Sequence, residues 1–413
     1  MRAEALAAKM VVGNSSGFWN DIRNLCPQKP SRAGKVDDSV GELQIANMWK
    51  ERFQRLLNSV DNDFHENEVR NRCNNSRTLD IVTLDELKSI VKGLPSNKAI
   101  GADGIPSEVF KYAPDRLLVL LSIVLSSCLR HQYLPAIIMK VIIIPLLKSK
   151  LRDPSSSDNY RPIAIATCFS KIVERIIYRR IENYLFTCDN QFGFRKNHST
   201  DMCIFMLKDI VNYYRSLNTP TFLCFLDIKK AFDRVNHFKL FKKLLDRGVP
   251  GFIVQLLVFW YRHQLFQVKW GQFLSQPFKV TNGIRQGGLL SPNLFNVYID
   301  SLSNDLNKSS VGCHVANICV NHLSYADDMV ILAPSVRALQ KLLDVCFAFA
   351  IDHDIVYNTR KSVCMIIWPK KARLTFTPSF HLCGERLDFV KDFLYLGHNI
   401  SCDLSDDQDK ANC

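Results

Sequence analysis

The sequence predicts a layered protein built from both α-helices and β-strands, of the α/β or α+β class. In the middle of the chain, continuous apolar runs typical of buried strands alternate with stretches whose apolar residues recur at helical spacing. The 413 residues suffice for two to three compact units at about 150 residues per unit. A hydrophobic share of 47% supplies a large core. This composition excludes a disordered chain, a collagen and a disulfide-stapled miniprotein.

The first hundred residues combine an irregular start with two predicted helices. Residues 1–38 mix Gly, Ser, Pro and Lys without periodicity, which predicts a loose lead-in. Residues 41–60 place their apolar side chains on one helical face. A polar linker is predicted over 61–77. The sequence Thr-Leu-Asp-Glu at 83–86 has the pattern of a capping box, so a short helix is expected from there to just before Gly93.

The next segment contains a predicted strand and a helix with a basic stripe. Residues 141–147 form a β-branched apolar run, which is typical of a strand. Residues 170–185 have helical periodicity, and basic side chains step along one side at Lys171, Arg175 and Arg179. The stripe could follow a phosphate backbone, but a solvated helix face would look the same.

The second half continues the alternation with well-marked element boundaries. Residues 221–226 form a continuous apolar strand, and Asn236 is placed to cap the helix that follows. Residues 265–281 are interpreted as a hairpin, which runs into a Gly-rich turn at 283–288. Ser291 followed by proline is interpreted as an N-cap with proline at the first helical position.

Charge and cysteine content narrow the functional classes only partly. The net charge of +13 suits a polyanionic partner, although an ordinary basic surface would give the same value. The 14 Cys residues are scattered and include no Cys-x-x-Cys pair, which indicates small buried side chains in a reducing compartment. The only crowded soft ligands fit no familiar zinc spacing, and we interpret them as structural: Cys313, His314, Cys319 and His322.

We expect an intracellular protein, in the nucleus or cytoplasm, that is not secreted and has no membrane partner. Residues 1–13 contain charged side chains and lack the apolar centre of a signal peptide. The apolar stretches at 117–129 and 134–147 fall short of the roughly 18 uninterrupted apolar residues that a membrane span needs.

Three acidic residues are the strongest chemical signal. Asp327 and Asp328 stand side by side between strand-prone residues, as at a hairpin turn. A plain polar turn would look similar, and like charges about 4 Å apart repel by roughly 4 kcal/mol at an effective dielectric of 20. Asp227 ends the apolar strand over 221–226. If the three carboxylates converge, a hard divalent cation, most naturally Mg²⁺, would supply the missing positive charge, and two such ions suit phosphoryl transfer.

Taken together, several ordered blocks identify a family resemblance: the chain resembles the reverse transcriptases of non-long-terminal-repeat retrotransposons, the long interspersed type. The blocks are 97–106, 158–163, 191–196, the Asp227 segment, the Gly283 turn with Ser291-Pro292, Tyr325-Ala326-Asp327-Asp328, Asn358 with Lys361, and 395–397.

The resemblance implies an α+β right-hand polymerase fold over 97–401. We expect fingers over about 97–218, a palm over about 221–367 and a partial thumb or connecting hairpin over about 369–401. A helical N-terminal extension would occupy 1–95, and 402–413 would form a tail.

The resemblance also assigns roles to individual residues. It implies that Asp227, Asp327 and Asp328 hold two Mg²⁺ ions, with Mn²⁺ as a possible substitute. The remaining implied residues bind the nucleotide: Arg161 and Lys148 at the triphosphate, Phe232 beneath the sugar where it excludes a 2′-hydroxyl, Gln286 and Gly287 at the template base pair, and Lys361 as a proton donor to pyrophosphate.

The implied function is an RNA-directed DNA polymerase that extends a DNA primer on an RNA template with deoxynucleotides. A second hypothesis is an inactive, truncated nucleic-acid-binding remnant, since no endonuclease segment precedes the polymerase blocks and no zinc knuckle follows them. A third is an RNA-dependent RNA polymerase, which Phe232 and Ala326 disfavour.

Overall fold

The computed structural model describes residues 33–61, 63–73, 80–149, 151–369 and 378–404. Most of the predicted lead-in and tail lies outside these ranges. Up to the middle of the chain the elements are β1 Lys35–Val36, β2 Ser39–Val40, α1 Glu42–Leu56, α2 Glu66–Cys73, α3 Leu84–Lys92, α4 Ser107–Lys111, α5 Asp115–His131, β3 Lys140–Leu147, β4 Tyr160–Ala166, α6 Cys168–Ile181 and α7 Thr200–Ser216.

The second half contains the remaining helices and strands. They are β5 Thr221–Leu226, α8 His237–Asp246, α9 Gly251–His263, β6 Leu265–Trp270, β7 Phe273–Leu274, α10 Ser291–Lys308, β8 His314–Val315, β9 Ile318–Cys319, β10 His322–Tyr325, β11 Asp328–Ala333, α11 Val336–Asp352, β12 Val363–Ile367, β13 His381–Leu382, β14 Glu385–Arg386, β15 Asp388–Phe389, β16 Asp392–Tyr395 and β17 His398–Ser401. The mixture confirms the predicted α+β class, and no described helix combines the length and the apolar character that crossing a membrane requires.

A five-stranded sheet, the central sheet, has the strand order β10-β11-β5-β12-β15. Strand β5 is buried along its whole length and runs antiparallel to both neighbours, β11 and β12. Its continuous apolar sequence fits this position, because a central strand covered on both faces has no solvent-facing side chains to alternate with. The predicted strand at 221–226 is therefore confirmed with the same bounds.

A four-stranded sheet, the outer sheet, has the order β4-β3-β6-β7. Strand β3 pairs antiparallel with β4 and parallel with β6. The predicted hairpin at 265–281 forms between β6 and β7, with Trp270 opposite Phe273. Its strands join the sheet of β3 and β4, so strands from both sides of β5 in the chain build one sheet.

Helix α1 packs its apolar face against the outer sheet. Trp49 is fully buried, and its ring contacts those of Phe53, Tyr160 and Trp270 at centroid distances of 5.2, 5.1 and 6.1 Å. The helix predicted over 41–60 is therefore confirmed with shorter bounds. Burial of its aromatic stripe anchors the N-terminal region on the sheet that carries β4.

Two local predictions about helix boundaries were wrong. The segment interpreted as a polar linker contains α2, whose only buried residues are Val69 and Cys73. These two side chains pack into the main core, and Arg72 of α2 also pairs with Asp246 of α8 at 2.6 Å. Ser291 is not the N-cap of α10: the helix begins at this residue, and Leu290 occupies the cap position without a side-chain hydrogen bond.

Of two other predicted caps, one is confirmed and one is confirmed in part. The Thr83 hydroxyl accepts from the Glu86 amide at 3.2 Å, as one half of a capping box requires. The Glu86 carboxylate does not complete the box, because it accepts from Arg180 instead. The Asn236 side chain accepts from the Lys239 amide at 3.0 Å and caps α8 as predicted.

Candidate active site

Asp227 follows directly after the last residue of β5, at one end of the central sheet. Its backbone is held on both sides by the segment before β12. The Asp227 amide donates to the Ser362 hydroxyl at 3.1 Å, and the Asp227 carbonyl accepts from the Asn358 amide at 2.8 Å. These bonds fix the point at which the side chain leaves the strand.

Asp327 and Asp328 lie in the hairpin that joins β10 to β11 at the same end of the sheet. Tyr325 pairs with Asp328, so the loop contains only Ala326 and Asp327. Met329, the residue after Asp328, pairs with Leu226 of β5. The predicted hairpin is confirmed, and this register brings it next to Asp227 although the residues are far apart in the chain.

The electrostatics of the hairpin confirm that the acids lie close together. Burial raises the pKa of Asp328 to about 6, with further contributions from Asp327 and Asp227, while Arg161 opposes the shift. Burial and the charge of Asp227 also raise the pKa of Asp327. Asp328 is exposed at the surface of the protein, yet the protein around it still disfavours the charged form. Burial and the neighbouring negative charges thus both disfavour the charged forms of Asp327 and Asp328.

Asp227 and Asp328 border a groove with a volume of about 320 Å³. Asp227, Asp328 and Lys361 contribute its polar lining, and apolar side chains including Phe393 and Tyr395 complete it. The structure therefore places Lys361 at the same groove as two of the predicted acids.

The acids fit divalent cations by their chemistry rather than by a closed geometry. In the described part of the chain, no group of three or more His, Cys, Asp or Glu side chains is arranged so that it could hold a metal ion. Nevertheless, burial first and neighbouring carboxylates second raise the pKa values of Asp327 and Asp328, and a bound cation would favour their charged forms. Carboxylate oxygens are the ligands that Mg²⁺ prefers, so Asp227, Asp327 and Asp328 suit this ion.

Strands β3 and β4 bring basic side chains towards the acids. Arg161 lies opposite Leu146 in the β3–β4 ladder and acts electrostatically on both Asp327 and Asp328. The pKa of Lys148 is lowered by burial and by nearby cations, among them Arg161 and Lys361. We call Arg161, Lys148 and Lys361 the basic cluster, because the charges of Arg161 and Lys361 act on Lys148 and that of Arg161 acts on the acids.

Phe232 lies in a short 3-10 segment, Ala231–Arg234, that follows β5. The ring is half-buried and stacks on Phe295 of α10 with 4.6 Å between centroids. Phe194 approaches it from another side, at 6.3 Å. Phe232 therefore packs against the core and still presents part of its ring to solvent.

Gln286 and Gly287 lie in the turn before α10, against the outer sheet. The Gln286 carbonyl accepts from the Ala164 amide of β4 at 2.9 Å. Gly287 has a φ of 103°, and a Cβ atom at this position would lie 3.2 Å from the Ala164 carbonyl oxygen. A positive φ and this close approach both favour glycine.

Asp233 is a buried charged residue to which the sequence interpretation assigned no role. Its carboxylate accepts from the Gln286 side chain at 2.9 Å. Burial raises the pKa of Asp233 to about 6, and the hydrogen bond from Gln286 and the charges of Lys230 and Lys148 oppose this shift. Asp233 links the segment of Phe232 to the turn of Gln286. Its position after Phe232 was visible in the sequence, but its partner depends on tertiary contacts.

Two other groups of polar residues are placed by the structure away from these acids. Arg175 and Arg179 of the α6 basic stripe lie against α3, where Arg179 donates to the Ser89 hydroxyl at 2.8 Å and the Arg175 guanidinium abuts Gly93. Among the crowded soft ligands, Cys313 and His322 are buried, and the His322 ring bonds to Asn321 at 2.8 Å. The predicted burial of Cys128, Cys168, Cys224 and Cys346 is confirmed.

Comparison with known proteins agrees with this geometry. A family model described as reverse transcriptase (RNA-dependent DNA polymerase) matches residues 148–400, which include every predicted site residue. The chain is 29% identical over 337 residues to the RNA-directed DNA polymerase from mobile element jockey of Drosophila funebris, which covers 77% of this chain and 35% of that protein.

Other relatives come from further mobile elements. The chain is 27% identical over 330 residues to the probable RNA-directed DNA polymerase from transposon BS of Drosophila melanogaster, covering 76% of this chain and 35% of that protein. It is 26% identical to the retrovirus-related Pol polyprotein from type-1 retrotransposable element R2 of Popillia japonica, covering 77% of this chain and 44% of that protein. The chain thus spans about a third of the length of the first two relatives.

Proposed function

Because the chain belongs to the reverse transcriptase family, of the type found in non-long-terminal-repeat retrotransposons, we propose that it acts as an RNA-directed DNA polymerase. It would extend a DNA primer on an RNA template with deoxynucleoside triphosphates. The observation that carries the proposal is the meeting of Asp227 with the Asp327–Asp328 hairpin at one end of the central sheet, beside Arg161.

The carboxylates of Asp227, Asp327 and Asp328 would hold two Mg²⁺ ions, or Mn²⁺ in their place. When bound, these ions supply Lewis-acid chemistry, which activates the primer 3′-hydroxyl and stabilises the leaving pyrophosphate. Their positive charge would also favour the charged forms of Asp327 and Asp328, whose pKa values are raised by burial and, secondly, by the neighbouring carboxylates.

The basic cluster and the turn would bind the incoming nucleotide. The guanidinium of Arg161 can donate two parallel hydrogen bonds to phosphate oxygens, and Lys148 adds a second positive charge at the triphosphate. Lys361, at the same groove, would donate a proton to pyrophosphate. Gln286 and Gly287 would lie against the base pair between template and nucleotide, where the absence of a Cβ at Gly287 permits close approach.

Phe232 would select the sugar. Its ring is held from behind by stacking on Phe295, so it cannot easily retreat from a ribose placed over its exposed part. A 2′-hydroxyl would then meet an apolar ring that offers no hydrogen bond. This arrangement supports deoxynucleotides as substrates and argues against the RNA polymerase alternative.

A primer-extension assay with the purified chain tests the proposal. A DNA primer annealed to an RNA template is supplied with deoxynucleotides and Mg²⁺, and the assay is repeated with Mn²⁺ and with ribonucleotides. We expect deoxynucleotide incorporation by the wild type. Loss of a metal-binding carboxylate removes several kcal/mol of transition-state stabilisation, so Asp327→Asn should lower the rate by roughly 10³-fold.

Asp305→Asn provides the matched control, because Asp305 lies on α10 and pairs with Lys308 outside the groove. This variant should keep wild-type activity. Template binding by a folded wild type without synthesis under either ion would instead favour the inactive remnant. Preferential incorporation of ribonucleotides would favour the RNA polymerase.

A further inference from the structure

A short segment, residues 190–194, runs along the outer edge of the central sheet beside β10. The Phe192 amide donates to the Ser324 carbonyl at 2.7 Å, and the Ser324 amide donates to the Asn190 carbonyl at 2.9 Å. Gln191 and Ser324 form a parallel bridge. The segment therefore continues the sheet past β10, next to the hairpin that carries Asp327.

The side chain of Gln191 reaches from this segment into the hairpin turn. It is 2% exposed, and its Oε1 atom accepts two backbone hydrogen bonds, from Gly193 and from Ala326, each at 2.9 Å. Ala326 is the residue before Asp327 and has a φ of 59°. A left-handed conformation costs a residue with a Cβ about 1 kcal/mol or more, so the bond from Gln191 offsets a local strain in the turn.

Gly193 allows the contact between the segment and the turn. A Cβ atom on Gly193 would lie 2.3 Å from the Ala326 nitrogen and 2.8 Å from the Tyr325 carbonyl carbon. From the other side, Asn296 of α10 donates its side-chain amide to the Gly193 carbonyl at 2.8 Å. The segment is thus fixed between α10 and the turn, and no larger residue fits at Gly193 without moving the turn.

We propose that Gln191 is a positioning residue: its side chain fixes the Ala326–Asp327 turn and so sets the direction of the Asp327 carboxylate. The inference rests on the proposed function for its catalytic consequence, while the positioning itself is a property of the fold. The same segment continues to Phe194, whose ring approaches Phe232. It therefore contacts both the acidic turn and the aromatic residue beneath the sugar.

Three variants separate this role from simple destabilisation. Gln191→Met keeps the size of the side chain and removes the acceptor. Gln191→Glu keeps an acceptor oxygen, and it sacrifices no hydrogen bond of the amide nitrogen, since Nε2 has no partner among the described residues. Gly193→Ala leaves Gln191 intact and pushes on the Ala326 nitrogen.

Asn321→Leu provides the matched control. Asn321 is a fully buried amide just before β10, at the opposite end of the strand from the turn. Its side chain donates two backbone hydrogen bonds, to Leu306 at 2.7 Å and Val311 at 2.9 Å. The Asn321 side chain also bonds to the His322 ring at 2.8 Å, so the variant removes more hydrogen bonds than Gln191→Met does, next to the same edge strand and without touching the turn.

Hydrogen exchange of the full chain, followed in a peptide that contains the Ala326 amide, is the primary measurement. One hydrogen bond contributes about 1 kcal/mol, and removing it should speed exchange at the turn roughly fivefold to tenfold in Gln191→Met and Gly193→Ala. Asn321→Leu should keep wild-type protection there, and so should Gln191→Glu at a pH low enough to keep the buried carboxyl protonated. Primer-extension kcat, corrected for the folded fraction, should fall about tenfold or more in Gln191→Met, with little change in KM for the deoxynucleotide.

Two results would overturn the proposal. One is unchanged exchange at Ala326 in Gln191→Met. The other is an equal loss of kcat per folded molecule in Gln191→Met and Asn321→Leu. If the wild type itself synthesises no DNA, the proposed polymerase function fails, but the exchange comparison still decides whether Gln191 fixes the turn.

Discussion

Asp233 makes the stability of the protein depend on pH. The carboxyl group is 4% exposed, and burial raises its pKa to about 6 from an ordinary value of 3.8. A carboxyl whose pKa is raised by folding contributes stability below pH 3.8, and this contribution is lost as the pH rises through 6. Because one pKa unit corresponds to about 1.4 kcal/mol, the loss is about 2 to 3 kcal/mol.

Asp233→Asn removes this titration and keeps an oxygen that can accept from Gln286. We therefore expect the free energy of unfolding of Asp233→Asn, relative to wild type, to improve by about 2 to 3 kcal/mol between pH 4 and pH 7. Urea titrations at several pH values measure it. Asp233→Leu, which lacks the acceptor, should show the same trend from a lower starting stability. A wild-type-to-Asn difference that is constant with pH would contradict the assignment.

The chemistry of single residues was predictable where the signal was local. Asp227 stood out because a continuous apolar strand has no other reason to end in an acid, and Asp327 and Asp328 because two adjacent acids interrupted an apolar run. The roles of Gln191 and Asp233 could not be predicted from their own positions, because they depend on hydrogen bonds to residues far away in the chain, Ala326 and Gln286 respectively. No periodicity or spacing encodes such a pair.

At the scale of elements, a buried ion pair joins α6 to the Gly-rich turn before α10. Glu174 and Arg285 form the pair, with side chains 2% and 5% exposed. Arg285 also donates to the Ser170 hydroxyl at 3.0 Å, and Glu174 accepts from the Leu289 amide at 2.6 Å. This network holds the turn that carries Gln286 against the helix.

Removing one member of the pair should cost more than removing both. Arg285→Met leaves the Glu174 carboxylate buried without its partner, which should lower the free energy of unfolding by about 3 to 5 kcal/mol. Adding Glu174→Met to this variant removes the unpaired charge and should recover part of the loss. Denaturant unfolding of the single and double variants measures both values.

The exposed pair of Asp305 and Lys308 provides the comparison. Asp305→Asn should cost less than about 1 kcal/mol, because water screens the interaction. If the combined Arg285→Met and Glu174→Met variant lost as much free energy of unfolding as the two single variants added together, Arg285 and Glu174 would act independently.

Elements were predictable where their own sequence decided them. Strand β5 and helix α1 were found because burial leaves a clear apolar pattern. Helix α2 was missed because only two of its eight residues, Val69 and Cys73, are buried, which is too few to give its sequence a helical apolar periodicity. The pairing of β6 with β3 could not be predicted either. The two strands are separated by more than one hundred residues, and the sequence of a strand does not specify which strand it pairs with.

At the scale of the whole molecule, the two sheets place a basic cluster against an acidic one. Lys148, Arg161 and Lys361 lie close enough together that the pKa of Lys148 is lowered, by burial first and by its basic neighbours second. The chain as a whole carries a net charge of +13. A polyanion bound along such a surface releases counterions, so its affinity must fall as the salt concentration rises.

The salt dependence of nucleic-acid binding is therefore a test of the whole surface. If the chain neutralises about four phosphates of an RNA–DNA duplex, the logarithm of the association constant should fall against that of salt with a slope of about −3.6, or roughly a hundredfold between 50 and 200 mM. Fluorescence anisotropy with a labelled duplex measures this slope.

Substitution of Lys361 shows whether the groove contributes to that slope. If the Lys361 ammonium also contacts a phosphate of the bound duplex, in addition to its proposed role at the pyrophosphate, Lys361→Ala should reduce the magnitude of the slope by about one. Lys361→Arg keeps the charge and should keep the slope. Two duplexes of different sequence should give the same values, since phosphate contacts carry no sequence information. A slope near zero, or one that Lys361→Ala leaves unchanged, would place the nucleic acid outside the groove lined by Asp227 and Asp328.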